Sequence, residues 1–176
     1  MIVTDRLVLR RFEERDRAVY VAHAADPAVM RFLLALPNAA DVDEQIARQD
    51  GYFAQHGYGF WIVEERARGV MIGVCGLKPG REDTPLEGAV EIGWRLGRES
   101  WGRGFAREAA EATLDWAFAT LPERRIGAIT VPENTASWGL MERIGMVRDP
   151  AADFDHPAVA IDSPFRRHIT YWKYRP

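Results

Sequence analysis

Alternation of apolar and polar residues marks the strands of this chain. The stretch "RLVLRRF" at 6–12 alternates apolar and basic residues, which predicts a strand with one buried face. Two β-rich runs, 58–65 and 69–78, are joined by a short turn that contains Gly69, a pattern typical of a hairpin. Further strands are predicted at 89–96, 126–131 and 167–174.

Helical spacing appears between these strands. The pattern turns helical over 16–25 and restarts with Asp26 as N-cap and Pro27 in the first helical position. Further helices are predicted from Asp41 or Asp43 as cap to about Gln55, from about Gly104 to Leu121, and over 135–144 with Gly145 as a left-handed cap. The order β, helices, β-β-β, α, β, α, β predicts a mixed α+β or α/β fold with a crossover helix between neighbouring strands.

Composition limits the class of protein. With 176 residues, 47% of them hydrophobic, the chain can bury one substantial core, and we expect a single domain over residues 1–176. A net charge of −3 with 28% charged residues gives no indication of nucleic acid or a membrane surface as partner.

The lone cysteine and the N-terminus bear on the compartment. Cys75 excludes an internal disulfide framework and a cysteine-based zinc site, and its apolar surroundings favour a small buried side chain. Asp5 and Arg6 stand where a signal peptide would need its apolar segment, and no stretch approaches the ~20 apolar residues that cross a bilayer. We expect a cytoplasmic protein.

The stretch "EIGWRLGRESWGRGFAREA" at 91–109 carries the most chemistry. Glycines let a ligand approach the backbone, and a helix N-terminus directs unpaired N–H groups and the positive end of its dipole at that ligand. This order predicts a phosphate or pyrophosphate cradle surrounded by Arg98, Arg103 and Arg107. The alternative is a glycine-rich connection with solvated arginines. The stretch does not fit a Walker loop, because no Gly-Lys-Ser/Thr follows the glycines. It does not fit the dinucleotide-binding fingerprint well either, because that motif needs a small residue at the position of Arg107.

The sequence "WGRGFA" at 101–106 resembles motif A of the GNAT (Gcn5-related) N-acetyltransferases, R/Q-x-x-G-x-G/A, in the form seen in the RimJ/RimL-like branch. Trp101 departs from the usual Arg or Gln, which removes one side-chain contact but leaves the backbone cradle. Four other motifs in the same order extend the resemblance over nearly the whole chain: "TDRLVLRRF", "DPAVMRFL", "GYGFWIVEE" with "IGVCGL", and "VPENTASWGLMERIGM". The resemblance implies a mostly antiparallel mixed sheet of about seven strands flanked by helices and splayed between the fourth and fifth of them.

The resemblance also implies acetyl-CoA as co-substrate, with no metal. Amides around Gly102 to Ala106 would bind the pyrophosphate, and the backbone of 94–96 would pair with the pantetheine arm, with an N–H near Trp94 as oxyanion donor. The residues implied in cofactor binding are Trp94, Arg95, Leu96, Trp101, Gly102, Arg103, Gly104, Phe105, Ala106, Arg107 and Asn134.

Two residues are candidates for proton transfer. Glu91 is a carboxylate inside an otherwise apolar strand and is our first candidate for the base, although a solvent-facing residue or an arginine partner explains it equally. Ser137 matches the serine that donates a proton to the departing sulfur in RimJ/RimL-like enzymes. A competing interpretation is that Asn134 or Thr135 caps the helix that begins there, with Ser137 in its first turn.

The histidines are alternative bases because imidazole titrates near neutrality. They are His23, His56, His156 and His168. His156, in the loop before the last strand, is a candidate for the acceptor pocket together with Phe32 and Trp61. Aromatic residues on helices and strands also serve as core, so the packing interpretation stays open for both.

We therefore expect an enzyme that moves an acetyl group from acetyl-CoA to a primary amine by direct attack, acting as a monomer or homodimer. The protein N-terminal α-amine is the leading acceptor, and a small-molecule amine or antibiotic is the alternative. Two other classes stay open: a non-catalytic acyl-CoA sensor, and a nucleotide-phosphate binder of a different fold.

Overall fold

A computed structural model describes residues 1–33 and 39–176, with the side chains of all of these except 39–41. The chain forms two units: residues 1–78 with 93–113, and residues 79–92 with 114–176. Two strands and one helix contribute residues to both units, although one of these strands does so by its last residue alone. Each unit is described separately below.

The first unit contains a run of strands in chain order. They are β1 (Ile2–Val3), β2 (Leu7–Arg10), β3 (Phe60–Glu65), β4 (Val70–Pro79) and the C-terminal part of β5 (Val90–Leu96). The ladders β1–β2, β2–β3 and β3–β4 are antiparallel, and β4 is hydrogen-bonded to β5. The predicted hairpin is confirmed: Gly69 turns the chain between β3 and β4 with a φ of +62°.

Helices of the first unit pack against these strands. They are α1 (Arg17–Ala25), α2 (Pro27–Met30), α3 (Ala39–His56) and the start of α4 (Phe105–Thr120). The predicted cap of α2 is confirmed, because an Asp26 carboxylate oxygen accepts the Ala28 N–H at 2.9 Å and Pro27 is the first helical residue. The prediction that Asp43 caps α3 is wrong, since the helix begins earlier, at Ala39. The side chain of Asp41 lies outside the described residues.

A buried ion pair fastens β2 to the segment before α1. Arg10 donates to both carboxylate oxygens of Asp16, at 2.7 and 2.8 Å, and also bonds Glu64 on β3. Asp16 is only 2% exposed and also accepts the Glu13 N–H at 2.9 Å. Three donors therefore satisfy one buried carboxylate, which is the condition for tolerating its burial.

The second unit is built around β9 (Arg167–Tyr174). β6 (Arg125–Thr130) pairs antiparallel with β9 over six residue pairs, and the short strands β7 (Val147–Arg148) and β8 (Phe154–Asp155) also pair with β9. The N-terminal end of β5 runs parallel to β6, with Val90 opposite Ile126 and Glu91 opposite Gly127. A parallel ladder of two pairs agrees with the expected opening of the sheet beside this strand.

Helix α5 (Thr135–Arg143) and the end of α4 complete the second unit. Gly145 follows α5 with a φ of +73°, which confirms the predicted left-handed cap. Arg175 donates to the carbonyls of Phe118, Leu121 and Glu123 and so satisfies the C-terminal end of α4.

These elements confirm the expected mixed fold with a mostly antiparallel sheet flanked by helices. The described residues form nine strands against the expected number of about seven, and three of the nine are only two residues long. No described helix combines the length and the apolar character needed to cross a lipid bilayer.

Candidate active site

The turn between β5 and α4 has the conformation that the glycines predicted. The Gly97 N–H donates to the Ile72 carbonyl at 3.0 Å, which fixes the start of the turn to β4. Gly102 and Gly104 have φ values of +70° and +79°, the left-handed region that favours glycine. A Cβ added at Gly102 would meet no atom within 4 Å, so this backbone is open to a ligand.

Main-chain N–H groups at this turn are available over one interval. Trp101 is a correction to the expected cradle, because its N–H already donates to the Arg98 carbonyl at 3.1 Å. Going along α4 from its N-terminus, the first main-chain N–H that donates to a carbonyl four residues earlier is that of Glu108, which bonds Gly104. Within the described part of the chain, no acceptor engages the N–H groups of residues 102–107. This is the interval where an anion gains most from a helix N-terminus.

The three arginines expected around the cradle each bond an acid of the protein, and their contact with a ligand stays a prediction. Arg98 bonds Asp26 at 2.7 Å, Arg103 bonds Glu65 at 2.7 Å, and Arg107 bonds Glu111 at 2.9 Å. Their charges are locally balanced, so the backbone and the helix dipole supply the attraction for an anion.

Sequence reasoning missed the residues that brace the start of α4. Glu108 accepts the Thr4 hydroxyl at 2.6 Å and the Nε of Arg6 at 2.6 Å. Arg6 in turn donates to the Arg103 carbonyl at 3.0 Å and covers the ring of Phe105 at 4.7 Å. Burial opposes ionisation of Glu108, but the hydrogen bonds from Thr4 and Arg6 outweigh it and lower the pKa of this carboxyl. No local pattern links residues about a hundred positions apart, so nothing in the sequence identified this brace.

The C-terminal part of β5, whose backbone is expected to pair with the pantetheine arm, directly precedes this turn in the first unit. Trp94 and Arg95 are half-buried, and Leu96 is buried. The Leu96 carbonyl accepts the indole N–H of Trp101 at 2.8 Å, so one acceptor expected for the pantetheine arm already has a partner. The remaining candidates of the turn lie in sequence order, with Phe105 buried, Ala106 half-buried and Arg107 exposed at the start of α4.

The candidate catalytic residues lie in the second unit. Glu91 is 7% exposed on β5, which excludes the solvent-facing alternative. The capping interpretation of Asn134 is confirmed: it is the N-cap of α5, its side-chain oxygen accepts the Ser137 N–H at 3.4 Å, and its side-chain nitrogen donates to Thr130 at 3.1 Å. Ser137 is the third residue of α5 and is half-buried. A cap and a functional role are compatible, and the latter stays a prediction.

The candidate acceptor residues have different surroundings. Phe32 follows α2 and lies under the guanidinium of Arg31, 5.0 Å from its ring. Trp61 is 3% exposed and packs edge-to-face on Phe53, which fits the core interpretation. His156, in the second unit, lies 4.8 Å from the ring of His168.

Two other histidines and the cysteine contact neighbouring side chains of the protein. His23 is buried and bonds Glu99 at 3.1 Å, and His56 stacks on Tyr58. Cys75 is fully buried, and this burial raises the pKa of its thiol to about 12, although a hydrogen bond to Thr113 acts in the opposite direction. Among the side chains that the structure describes, no three His, Cys, Asp or Glu residues gather as a metal site would require.

Comparison with known proteins agrees with this geometry. The Acetyltransferase (GNAT) domain family matches residues 6–147. An uncharacterised N-acetyltransferase, p20 of Bacillus licheniformis, is 33% identical over 158 residues, 84% of this chain and 85% of its own. The acetyltransferase of Agrobacterium tumefaciens is 28% identical with a TM-score of 0.76, over 98% of this chain and 93% of its own.

A more distant structure shares the fold alone. It is the ribosomal-protein-S5-alanine acetyltransferase of Vibrio fischeri, which is 17% identical with a TM-score of 0.73 and covers 98% of this chain and 95% of its own. The family match over most of the chain and the identity to p20 decide the assignment. The chain belongs to the GNAT acetyltransferase family and is an acetyl-CoA-dependent acyltransferase.

Proposed function

We propose that this enzyme acetylates the N-terminal α-amine of a protein by direct attack of the amine on acetyl-CoA. It would act as a cytoplasmic member of the RimJ/RimL-like branch, with a single domain over residues 1–176. The observation that carries the acetyl-CoA part of the proposal is the open interval of main-chain N–H groups at residues 102–107, which includes two left-handed glycines and the first residues of α4. The negatively charged oxygens of a diphosphate can accept hydrogen bonds from these N–H groups. The α-amine as acceptor rests on the resemblance to RimJ/RimL-like enzymes.

Direct attack is supported by the chemistry of the only cysteine. A relay through an acetyl-enzyme needs a nucleophile that ionises and can be reached. Cys75 is fully buried and its thiol pKa is raised to about 12, so it is poorly suited to that role. In the proposed route, the amine nitrogen bonds the thioester carbon, the C–S bond breaks, and the sulfur leaves as a thiol.

The nitrogen loses two protons in this route, and the sulfur gains one. The ammonium loses the first before it attacks, for which Glu91 is the proposed base, directly or through water, and the nitrogen loses the second to solvent as the amide forms. The departing thiolate gains its proton from Ser137, the proposed acid, which recovers one from solvent. A main-chain N–H near Trp94 would stabilise the oxyanion between these steps.

Ser137→Ala is expected to lower kcat by on the order of a hundredfold, because the thiolate loses its proton donor. Steady-state assays of CoA release at saturating acetyl-CoA measure this effect, and calorimetry should find the acetyl-CoA Kd within about twofold of the wild type. Thr135→Ala, in the same turn of α5 but exposed, is the control and should keep the wild-type kcat. Equal rates for both variants would remove Ser137 from the mechanism.

Glu91→Gln is expected to reduce kcat/KM by on the order of a hundredfold near neutral pH, because the amide cannot accept a proton. The rising limb of the pH–rate profile should move to the pKa of the acceptor's own amine. A profile that keeps the wild-type shape would assign the base to another group.

The acceptor itself is tested with a panel of amines in a CoA-release assay. Peptides with different N-terminal residues are compared with the same peptides blocked at the α-amine, with polyamines and with aminoglycosides. Turnover that requires a free α-amine supports the proposal. Turnover that prefers polyamines or aminoglycosides would favour the small-molecule alternative, and acetyl-CoA binding without turnover of any amine would favour the sensor.

A further inference from the structure

Arg95 differs from the other shielded arginines of this protein. The arginines that are not exposed are Arg10, Arg17, Arg95, Arg148 and Arg166. Four of them bond a carboxylate, respectively Asp16, Glu14, Asp153 and Asp155, at 2.5 to 3.5 Å. Within residues 1–33 and 39–176, no carboxylate pairs with Arg95. A partly buried guanidinium without a counter-charge lowers the stability of the folded protein, which suggests that Arg95 has a function other than stabilising the fold.

The contacts of Arg95 leave its donors poorly satisfied. Its Nη1 faces the Met30 sulfur at 3.6 Å, and a thioether is a weak acceptor. Its guanidinium covers the ring of Tyr20, with 5.0 Å between the guanidinium carbon and the ring centroid. Its Nη2 is buried, and among the described residues no acceptor reaches it. The stacking orients the fork while leaving its hydrogen-bonding capacity for something else.

The place of Arg95 connects it with the proposed reaction. Its main chain lies between Trp94 and Leu96 on β5, the strand proposed to hold the acyl end of the co-substrate. Its side chain lies against α1 and α2, where it meets Tyr20 and Met30. The guanidinium therefore projects from the co-substrate strand toward the helices that precede the acceptor candidate Phe32.

We propose that Arg95 binds a carboxylate of the acceptor, so that the substrate is an amine with a carboxylate close to its amino group. This inference rests on the proposed function and narrows its substrate class. The carboxylate has two sources, an acidic side chain next to a peptide N-terminus or the α-carboxylate of an amino acid. On binding, the carboxylate takes two parallel N–H bonds of the fork, and the flexible Met30 side chain gives way.

A carboxylate fits better than a phosphate at this position. Of the arginines near the facing helices, Arg17 of α1 already bonds Glu14, and Arg31, which follows α2, is exposed and stacks on Phe32. One guanidinium therefore balances a single negative charge. Phosphate sites usually combine several donors and cations, as the N–H groups of the neighbouring turn do.

The test uses pairs of acceptors that differ only in the carboxylate. One pair is a peptide with glutamate or glutamine at its second position, and the other is an amino acid and its amide. In at least one pair, the wild type should favour the carboxylate by about ten- to a hundredfold in kcat/KM. Arg95→Gln should reduce that ratio to about one, and Arg95→Lys should keep part of it. The pair that shows the preference identifies the source.

The controls separate substrate recognition from structural damage. Arg48→Gln, an exposed arginine on α3, should keep the wild-type preference. Calorimetry on Arg95→Gln should give an acetyl-CoA Kd within about twofold of the wild type. Binding of the acetylated products gives a second measurement. The wild type should bind the product with the carboxylate at least about tenfold more tightly than the product with the amide, and Arg95→Gln should bind the two products with equal affinity.

The outcomes distinguish this inference from the proposed function. Turnover of both members of each pair at equal rates, or an equal loss on both in Arg95→Gln, would overturn the inference while the acetyltransferase proposal stands. Turnover confined to polyamines or aminoglycosides would overturn both. A carboxylate preference that Arg95→Gln leaves intact would also overturn the inference, because another group would then bind the carboxylate.

Discussion

Gly102→Asp is expected to weaken acetyl-CoA binding by at least about a hundredfold, because it places a negative charge among the N–H groups proposed to bind the diphosphate. The site is suited to this test, since Gly102 has open space around the position of a Cβ. The aspartate therefore displaces no protein atom. Isothermal titration with acetyl-CoA measures the effect.

Backbone strain has to be separated from charge, because Gly102 has a φ of +70°. Gly88→Asp is the matched control: Gly88 has a φ of +74°, the same open surroundings and a position in the polar loop before β5. Gly102→Ala carries the strain without the charge. Only Gly102→Asp should show the full loss of acetyl-CoA affinity. Its melting temperature should stay close to that of Gly88→Asp, because the two substitutions cause similar backbone strain. Unchanged affinity in Gly102→Asp would contradict the proposed cradle.

Asp16→Asn is expected to lower the free energy of unfolding by about 2–3 kcal/mol, because it removes the more deeply buried of the two carboxylates that Arg10 bonds and leaves Glu64 as the other. Arg10 is 8% exposed, so water cannot replace the lost contacts. Urea titration measures the change as a lower midpoint at constant m-value. Asp50→Asn is the control, since Asp50 bonds Arg11 at the surface and an exposed pair of this kind contributes about 0–1 kcal/mol. Similar losses in both variants would contradict the importance of burial.

The same pair gives an acid-dependent stability. Burial of Asp16 opposes ionisation, but the hydrogen bonds from Arg10 and from the Glu13 N–H outweigh it and lower the pKa of the carboxyl. A lowered folded-state pKa stabilises the protein above the unfolded value of about 3.9 and loses that contribution as the pH falls through the folded value. Asp16→Asn should therefore remove part of the acid-induced loss of stability.

The ion-pair partners of the arginines near the turn could not be predicted from the sequence. The pattern at 91–109 located the glycines and the helix start correctly, because conformational needs of glycine and helix caps act over a few residues. It placed Arg98, Arg103 and Arg107 around the turn but did not identify the acids that they bond. Their partners include Asp26 and Glu65, which reach them only through the packing of α2 and β3 beside the turn.

Local physics also predicted the cap of α5, because Asn134 and Ser137 are three residues apart. The burial of Glu91 needed more than its own strand, since an isolated carboxylate in an apolar run is compatible with either face. The tertiary structure decided it, because packing on that face of β5 leaves Glu91 only 7% exposed.

The sequence by itself determined the order of strands and helices, the left-handed glycines and the family, because periodicity, caps and turns are short-range properties of the chain. The tertiary structure alone decided which charges are neutralised and which remain unpaired. Arg10 and Arg95 both lie in strands, and the alternation of residues there does not show which of them has a carboxylate partner. Folding brings Asp16, six residues along the chain, and Glu64 of β3 to Arg10, and the Tyr20 ring and Met30 sulfur to Arg95.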